Sequence, residues 1–128
     1  MTILYKKIKI KVNFMNNIQK GNLGEEIATN YLRSKGAYIL ENNYKVKFGE
    51  IDIIAKLDEE LVFVEVKSRS NVNFGYPCEA VNYKKRMKIT NVAKYYILKN
   101  KLEKVPVRFD VIEIYLRNSE INHIENAF

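Results

Sequence analysis

The segment GEIDIIAKLDEELVFVEVKSR, residues 49–69, constrains the fold more than any other part of the chain. Two apolar runs rich in Ile and Val lie on either side of the acidic pair Asp58–Glu59. Because side chains alternate along a strand, and strands are rich in β-branched residues, the pattern predicts a β-hairpin that turns at this pair. A two-residue turn favours Asn or Gly, and neither is present, so a longer loop with shifted pairs is the alternative.

The predicted register matches apolar side chains across one face of the hairpin. In this register Ile51 pairs with Val66 and Ile53 pairs with Val64. The shared face then holds six apolar residues, Ile51, Ile53, Ala55, Val62, Val64 and Val66. A slip by one residue would turn one of the two apolar sets to the opposite face, so the pattern favours this register.

The same register brings acidic residues together on the opposite face. There the predicted pairs are Ile54 with Phe63, Asp52 with Glu65, and Glu50 with Lys67. Directly opposed like charges destabilise a sheet by up to about 1 kcal/mol. A divalent cation, Mg²⁺ or Mn²⁺, would compensate Asp52 and Glu65, with water and substrate phosphate as further ligands. An odd-numbered slip would instead send the two carboxylates to opposite faces.

The remaining patterns complete the predicted fold. Apolar residues at helical spacing predict helices at about 22–34 and 83–98, and the segments 37–46 and 107–116 are typical of strands. The closing segment INHIENAF is too short to assign. The order helix, three strands, helix, strand predicts an α/β fold with a mixed sheet flanked by helices. The second helix is long enough to be a crossover, so we expect the third and fourth strands to be parallel.

The composition limits the domain organisation and the chemistry. A chain of 128 residues that is 47% hydrophobic fits one domain, which we expect at residues 15–128. Residues 1–14 are a basic leader or edge strand, and Met15 is the expected natural start. The single Cys78 and single His123 exclude a disulfide within the chain, a cysteine-rich zinc site and a multi-histidine site, so the chemistry must come from carboxylates and lysines.

The charge distribution predicts an anionic partner. The net charge is +7, and residues 1–20 and 82–104 are strongly basic whereas residues 41–65 are acidic. This layout suits a cation site beside a polyanion, with a solvated mixed-charge surface as the alternative. The sequence contains neither a secretory signal nor an apolar run of membrane-spanning length, so we expect a cytoplasmic protein without a membrane partner or a small-molecule cofactor.

The acidic pair predicts a reaction class. A cation at Asp52 and Glu65 would acidify a bound water, and Lys67, two residues from Glu65, would orient that water or stabilise the transition state. Glu25 lies at the border of the apolar stripe of the first helix and can complete the metal site. The predicted reaction is metal-assisted hydrolysis of a nucleic-acid backbone.

Each of these residues also has a structural interpretation. Lys67 and Glu50 would form a cross-strand ion pair, and Glu25 would be solvated. Asp110 is expected in a structural ion pair or turn, and His123 has no evident partner. Tyr95 and Tyr96 are expected to serve packing and surface roles.

The motifs together resemble a known group of nucleases. Asp52 followed by Glu65-Val66-Lys67 resembles the PD-(D/E)XK signature, and Glu25 resembles the extra acid of archaeal Holliday junction resolvases. More closely, the chain is similar to the YraN-like family of uncharacterised bacterial proteins. That resemblance runs from Gly21 to Phe128 through the motifs GNLGEEIA, GEIDIIA, VFVEVKSR, FGYPCEAV, the lysine at position 85, RFDVI and HIENAF.

The resemblance implies a restriction-endonuclease-like core with defined site residues. Asp52 and Glu65 are implied as metal ligands, Lys67 as the catalytic lysine and Glu25 as the fourth, resolvase-like residue. The chain departs from the superfamily in having Ile51 at the position of its proline. It departs from the family in having Lys45 where arginine is usual, which weakens a bidentate phosphate contact.

The expected substrate is nucleic acid, with DNA favoured, and branched or damaged DNA is one option left open. The residues expected to contact it are Lys84, Lys85, Arg86, Lys88, Arg69 and Lys45. The alternative is a non-catalytic nucleic-acid-binding protein that retains the nuclease fold. A third hypothesis, an interaction protein that uses the alternating segment 1–14, and a homodimer are left open.

Overall fold

The computed structural model of the chain describes residues 15–70 and 82–128. It contains two helices and five strands, which are α1 Asn17–Ser34, β1 Tyr38–Val46, β2 Gly49–Leu57, β3 Glu60–Arg69, α2 Tyr83–Lys99, β4 Val107–Tyr115 and β5 Glu120–Ile124. The predicted leader at 1–14 and the Gly/Pro loop that includes Cys78 lie outside the described residues. No described helix combines the length and the apolar character needed to cross a membrane.

The strands form one mixed sheet in the order β1-β2-β3-β4-β5. The pairs β1/β2, β2/β3 and β4/β5 are antiparallel, whereas β3 and β4 are parallel. The α/β class and the parallel pair joined through α2 are therefore confirmed, and the layout is consistent with a restriction-endonuclease-like core. The strand β5 lies in the segment INHIENAF, to which the sequence pattern assigned no element.

The two helices cover opposite faces of the sheet. Ala28 and Leu32 of α1 pack on Ile53, Val64 and other side chains of the first face. On the second face, α2 packs through the apolar stripe Ile89, Val92, Ala93 and Tyr96. Tyr96 is buried and Tyr95 is exposed, as the sequence analysis predicted. Both faces of the central strands are buried in this way, which explains the nearly continuous apolar runs of β2 and β3.

The hairpin turns at Asp58–Glu59 as predicted, without the favoured turn residues. Both residues have positive φ, 51° and 67°, which a tight hairpin turn of the type I′ class requires. Leu57 pairs with Glu60, and the regular register continues to Ile53 and Val64. Because three of these five pairs, Ile53/Val64, Ile54/Phe63 and Ala55/Val62, match apolar side chains and occupy both faces, the register outweighs the unfavourable turn.

Beyond Ile53 the predicted register is wrong. Ile51 packs on the α2 face, whereas Ile53 packs on the α1 face, so the alternation of β2 shifts at Asp52. Asn43 of β1, between the residues paired with Ile51 and Ile53, has a left-handed backbone with φ of 54°. The irregular backbone of β1 beside Asp52 is the local reason for the shift.

The pairs predicted between Ile51 and Val66 and between Glu50 and Lys67 are consequently not part of the ladder. Glu50 instead pairs with Lys45 of β1, with 3.6 Å between Nζ and Oε2. The cross-strand ion pair suggested as a structural role for Lys67 is therefore wrong.

Helix α1 begins five residues earlier than predicted. Asn16 caps it, because the Asn16 side chain accepts from Gln19 N at 2.9 Å and the Gln19 side chain accepts from Asn16 N at 3.0 Å. This reciprocal capping box was readable in the sequence from a polar cap residue and a glutamine three positions later. The extra turn brings residues 17–21 to the edge of the candidate site.

Candidate active site

Asp52 lies at the point where β2 changes its alternation. Its Oδ2 accepts a hydrogen bond from Val66 N at 2.7 Å, so the carboxylate takes the place of a ladder partner on β3. Asp52 is half-buried and lines a cleft beside α1. The predicted direct opposition of Asp52 and Glu65 as a regular cross-strand pair is therefore replaced by a side-chain contact to the neighbouring backbone.

Glu65 lies on β3 and its carboxylate meets two lysines. Lys85 Nζ of α2 lies 2.7 Å from Glu65 Oε1, and Lys67 Nζ lies 3.4 Å from the same oxygen. Glu65 is buried, with 8% of the residue exposed. A buried carboxylate requires such a countercharge, and here a helix on the second face of the sheet supplies the closer one.

Glu25 reaches the site because α1 lies unusually close to β3. At Gly24, an added Cβ would lie 1.6 Å from Ser68 Oγ and 2.9 Å from Ser68 Cβ. Only glycine permits this approach of helix and strand. The next residue, Glu25, is half-buried beside Asp52, whereas Glu26 is exposed, which agrees with the orientation expected from the helical wheel.

Five residues thus form what we call the Asp52 cluster, namely Glu25, Asp52, Glu65, Lys67 and Lys85. Burial, reinforced by the charge of Glu65, raises the pKa of Asp52 to about 8 despite the hydrogen bond from Val66. Burial likewise raises the pKa of Glu25, and the nearby acids Glu50 and Glu65 add to that shift.

The lysines of the Asp52 cluster shift in opposite directions. Burial lowers the pKa of Lys67, and the nearby Lys85 ammonium adds to this shift. Burial opposes the charged form of Lys85 as well, but its contact with Glu65 and the charges of the acids raise its pKa overall. Lys85 therefore serves as the principal countercharge, while Lys67 is held in a more desolvated position.

A cleft of about 750 Å³ opens from this cluster on the α1 side. Glu25 and Asp52 lie in its wall, and three basic residues, Lys20, Lys45 and Arg69, lie beside them. Lys20 Nζ donates to Ser70 Oγ at 2.8 Å. The volume falls in the range of ligand-binding clefts, about 300–1,000 Å³, and the combination of acids with basic neighbours suits an anionic ligand that brings a cation.

The residues expected to contact nucleic acid fall into separate groups. Lys45 and Arg69 line the cleft, and Lys85 belongs to the Asp52 cluster. Lys84 and Lys88 are exposed on α2. The guanidinium carbon of Arg86 lies 5.6 Å from the centroid of the Phe128 ring. The six residues therefore do not form one surface around the cleft.

A second acidic residue, Asp110 of β4, has a very different environment. Arg108 holds it with two hydrogen bonds, Nε to Oδ1 at 2.9 Å and Nη2 to Oδ2 at 3.0 Å. His123 Nε2 lies 2.7 Å from Oδ2, and Asn126 N donates to Oδ1 at 3.1 Å. The structural ion pair predicted for Asp110 is confirmed, and His123 does have a partner. We call Arg108, Asp110, His123 and Asn126 the Asp110 cluster.

The geometry can be set beside known proteins. The model of the Uncharacterised protein family UPF0102 matches residues 24–114. A UPF0102 protein of Clostridioides difficile (strain 630) is 66% identical over 114 residues, which cover 89% of this chain and 100% of that protein. A UPF0102 protein of Alkaliphilus oremlandii (strain OhILAs) is 51% identical over 116 residues, which cover 88% of this chain and 99% of that protein. The chain belongs to the UPF0102 family.

Membership in UPF0102 confirms the YraN-like resemblance of the sequence motifs. All five residues of the Asp52 cluster fall within the matched range. Among solved structures, Pyrococcus furiosus SfsA in complex with Ca²⁺ is similar over 86% of this chain and 64% of that chain, with 15% identity and a TM-score of 0.32. At that TM-score the similarity is too low to inform on the function of the UPF0102 chain.

The Asp52 cluster of this UPF0102 protein fits a hard divalent cation in its donor chemistry. Carboxylate oxygens are the ligands that Mg²⁺ and Mn²⁺ prefer, and the ammonium of Lys85 already neutralises one of them. Across residues 15–70 and 82–128, however, no three acidic, histidine or cysteine side chains converge as a ready metal cage. A cation would therefore bind Asp52 and Glu65 with water and substrate oxygens completing its coordination.

Two side chains near the site were missed by sequence reasoning. Lys20 enters the cleft because α1 starts at Asn17, and the capping box was the available signal. Glu113 of β4 pairs with Lys67 in the parallel ladder and is fully buried. Its Oε2 accepts from Tyr115 at 2.6 Å, and its Oε1 has no hydrogen-bond partner within the described part of the chain. The register of the predicted parallel pair would have been needed to find it.

Proposed function

We propose that this protein hydrolyses phosphodiester bonds in nucleic acid, with DNA as the expected substrate and Mg²⁺ or Mn²⁺ at Asp52 and Glu65. The observation that carries the proposal is that few contacts stabilise the charged form of the Asp52 carboxylate. Glu25 and Glu65 lie beside it, burial raises its pKa to about 8, and a hydrogen bond from Val66 N stabilises its charged form. Acids held in this way are concentrated at functional sites, because structural acids are normally paired.

The bound cation would supply a Lewis acid and a water of lowered pKa. Asp52 and Glu65 would hold it where β2 and β3 diverge, and its charge would favour the ionised form of Asp52. Glu25, on the α1 side of Asp52, would accept a hydrogen bond from a water bound in the cleft. The three acids would thus bind and orient the attacking water.

Lys67 would act beside that water. Its Nζ lies 3.4 Å from Glu65 Oε1, so the ammonium is held next to one proposed ligand. Only 19% of the Lys67 side chain is exposed, and burial lowers its pKa. We assign it to orienting the attacking water and to stabilising negative charge on the phosphate.

The cleft beside α1 supports a path for the substrate backbone. Lys20, Lys45 and Arg69 line it together with the acids, so successive phosphates could be neutralised on either side of the bond to be cut. Contacts of this kind position a strand without reading its sequence. We therefore propose that the substrate is selected by its shape.

A non-catalytic nucleic-acid-binding protein is the second candidate. The contact of 2.7 Å between Lys85 and Glu65 favours it, because this ion pair can explain the buried carboxylate without a metal ion. In that case the Asp52 cluster would be a structural remnant of the nuclease fold. The two candidates differ in whether Lys67 is required for cleavage of the nucleic acid.

The test is a cleavage assay on labelled linear, single-stranded, flapped and four-way-junction DNA, with Mg²⁺, Mn²⁺ or EDTA. We expect metal-dependent products from the natural protein and a loss of at least about 100-fold in Lys67→Ala and Asp52→Asn. Glu25→Gln and Glu26→Gln form a matched pair, because the two acids are adjacent but only Glu25 faces Asp52. We expect the first to be impaired and the second to be active.

The outcomes separate the two candidates. If DNA is bound but not cut under any condition, and Lys67→Ala binds as tightly as the natural protein, the nuclease proposal is wrong. If cleavage survives in both Lys67→Ala and Asp52→Asn, the activity belongs to another site or to a contaminant.

A further inference from the structure

The contact between Lys85 and Glu65 joins helix α2 to strand β3. Lys85 lies in the first turn of α2, where the cap residue Asn82 accepts from Lys85 N at 3.0 Å and fixes the backbone. Its ammonium extends to Glu65 Oε1 on β3 at 2.7 Å. It is therefore closer to this carboxylate than Lys67, whose backbone belongs to the same strand as Glu65.

A divalent cation that binds Glu65 through Oε1 would compete with this ammonium. Mg²⁺ binds carboxylate oxygens at about 2.0–2.1 Å, and a cation at that distance would repel an ammonium that lies 2.7 Å from the same oxygen. Metal binding at Oε1 therefore favours departure of the lysine. The side chain of Lys85 is 40% exposed, so it can extend into solvent, whereas the Lys67 side chain is 19% exposed.

We propose that Lys85 is the exchangeable countercharge of Glu65: it holds the carboxylate while the metal is absent, leaves when the metal binds, and then contacts substrate phosphate. This inference rests on the proposed metal site and extends it. Metal binding and nucleic-acid binding become coupled, because the same ammonium serves Glu65 in one state and the substrate in the other.

The position of Lys85 on its helix supports this role over the neighbouring cations. Lys85 lies four residues before Ile89 and seven before Val92, so it continues the apolar stripe that packs on the sheet. Lys84 and Lys88 are exposed, whereas Lys85 is half-buried. Lys85 therefore lies on the side of α2 that packs on the sheet, and its side chain extends to Glu65.

The first experiment measures Mn²⁺ binding to the free full-length protein by isothermal titration calorimetry, without nucleic acid. Lys85→Met removes the competing ammonium and retains the length of the side chain. Its matched control is Lys94→Met, which removes the same charge from an exposed position of α2. We expect Lys85→Met to bind Mn²⁺ about tenfold more tightly, equivalent to about 1.4 kcal/mol, and the control to stay within about twofold of the natural protein.

The second experiment measures the other half of the exchange. Affinity for a labelled DNA junction is determined by fluorescence anisotropy with EDTA and with Ca²⁺ as a probe cation. We expect Ca²⁺ to increase the affinity of the natural protein, and the increase to shrink by at least about threefold in Lys85→Met, because the released ammonium is missing. An equal increase in both proteins would overturn the proposed phosphate contact.

The metal titration also distinguishes this inference from the nuclease proposal. If Asp52→Asn abolishes Mn²⁺ binding while Lys85→Met and Lys94→Met bind equally, the metal site stands and the exchange is wrong. If Lys85→Met binds Mn²⁺ more tightly but no DNA is cut, the exchange stands and the nuclease proposal fails. Absence of Mn²⁺ binding in every variant would overturn the exchange itself.

Discussion

Asp52 and Asp110 are two aspartates of one sheet with opposite electrostatic environments. Four donor groups surround the Asp110 carboxylate, whereas the Asp52 carboxylate accepts a hydrogen bond from Val66 N and has two acids beside it. Burial opposes ionisation of Asp110, but its hydrogen bonds from His123, Arg108 and Asn126 and the charge of Arg108 lower its pKa overall. Burial and the charge of Glu65 raise the pKa of Asp52.

The contrast shows how one fold treats a structural and a candidate functional acid. At the Asp110 cluster the stabilisation of the charged form exceeds the desolvation penalty, so the ion pair supports the fold. At the Asp52 cluster desolvation dominates, so ionisation of Asp52 lowers the stability of the free protein. Such a cost is expected where a ligand supplies the missing positive charge.

The largest effect is expected from Asp110→Asn. This change removes the closest anionic partner of Arg108, which is 6% exposed, and leaves the guanidinium with only the longer contacts to Glu60 at 3.3 Å and Glu125 at 3.9 Å. We expect the free energy of unfolding at pH 7 to fall by about 3–5 kcal/mol, measured by urea denaturation. Glu103→Gln, at an exposed acid, is the control and is expected within about 0.5 kcal/mol of the natural protein.

The pH dependence of this effect has a defined sign. The pKa of Asp110 is lowered in the folded state, so its contribution is present above the unfolded pKa of about 3.9 and is lost as the pH falls through the folded value. The difference between the natural protein and Asp110→Asn should therefore shrink in acid. A difference below about 1 kcal/mol at pH 7 would contradict the structural role.

The opposite sign is expected from Asp52→Asn. Asn retains an oxygen for the hydrogen bond from Val66 N and removes the charge beside Glu65. Because the folded pKa of Asp52 is raised to about 8, the folded state binds more protons than the unfolded state between about pH 4 and pH 8. The free energy of unfolding of the natural protein therefore falls as the pH rises through this window. Asp52→Asn has no titrating group at this position, so its free energy of unfolding does not show this decrease.

We expect Asp52→Asn to increase the free energy of unfolding by about 2–4 kcal/mol at pH 9 and by little below pH 4, in urea denaturation with EDTA. Divalent cation should narrow the difference at pH 9 by binding only to the natural protein. Equal destabilisation of the variant at pH 5 and pH 9 would show that Asp52 is a structural acid like Asp110.

The comparison also explains what the sequence could reveal. The hairpin, the crossover helix and the parallel pair follow from local periodicity, which fixes which face of each element is apolar. The structural ion pair of Asp110 was accessible because Arg108 lies two residues away on the same strand. The ladder of β2 and β3 was correct for five pairs because both apolar faces agree with it.

The geometry of the Asp52 cluster depends on contacts that periodicity does not encode. The shift of alternation at Asp52 accompanies the left-handed Asn43 on the neighbouring strand, and regular alternation cannot anticipate such an irregularity. The contact of Lys85 with Glu65 joins residues on different elements. Lys85 continues the stripe of α2, so its direction toward the sheet was available from the sequence and its partner was not.

The smallest effect tests how the start of α1 contributes to the Asp52 cluster. Gly24→Ala would bring a Cβ to 1.6 Å from Ser68 Oγ and 2.9 Å from Ser68 Cβ; the hydroxyl can rotate away but the Cβ cannot. The start of α1 must therefore move from β3, and we expect a loss of about 1–3 kcal/mol in the free energy of unfolding. Gly21→Ala, in the same helix with nothing within 4 Å, is the control and is expected to be neutral or stabilising by up to about 1 kcal/mol.

The pH dependence of Gly24→Ala gives the sharper result. Moving α1 takes Glu25 away from Asp52 and admits water, so the loss of stability between pH 5 and pH 9 should become less steep. The acid-side dependence that comes from Asp110 should stay unchanged, because the contact of α1 with this cluster, between Tyr31 OH and His123 Nδ1 at 3.0 Å, lies near the end of the helix away from Gly24. If both dependences change together, the two clusters are coupled through the sheet, and the separation of a structural from a functional acid does not hold.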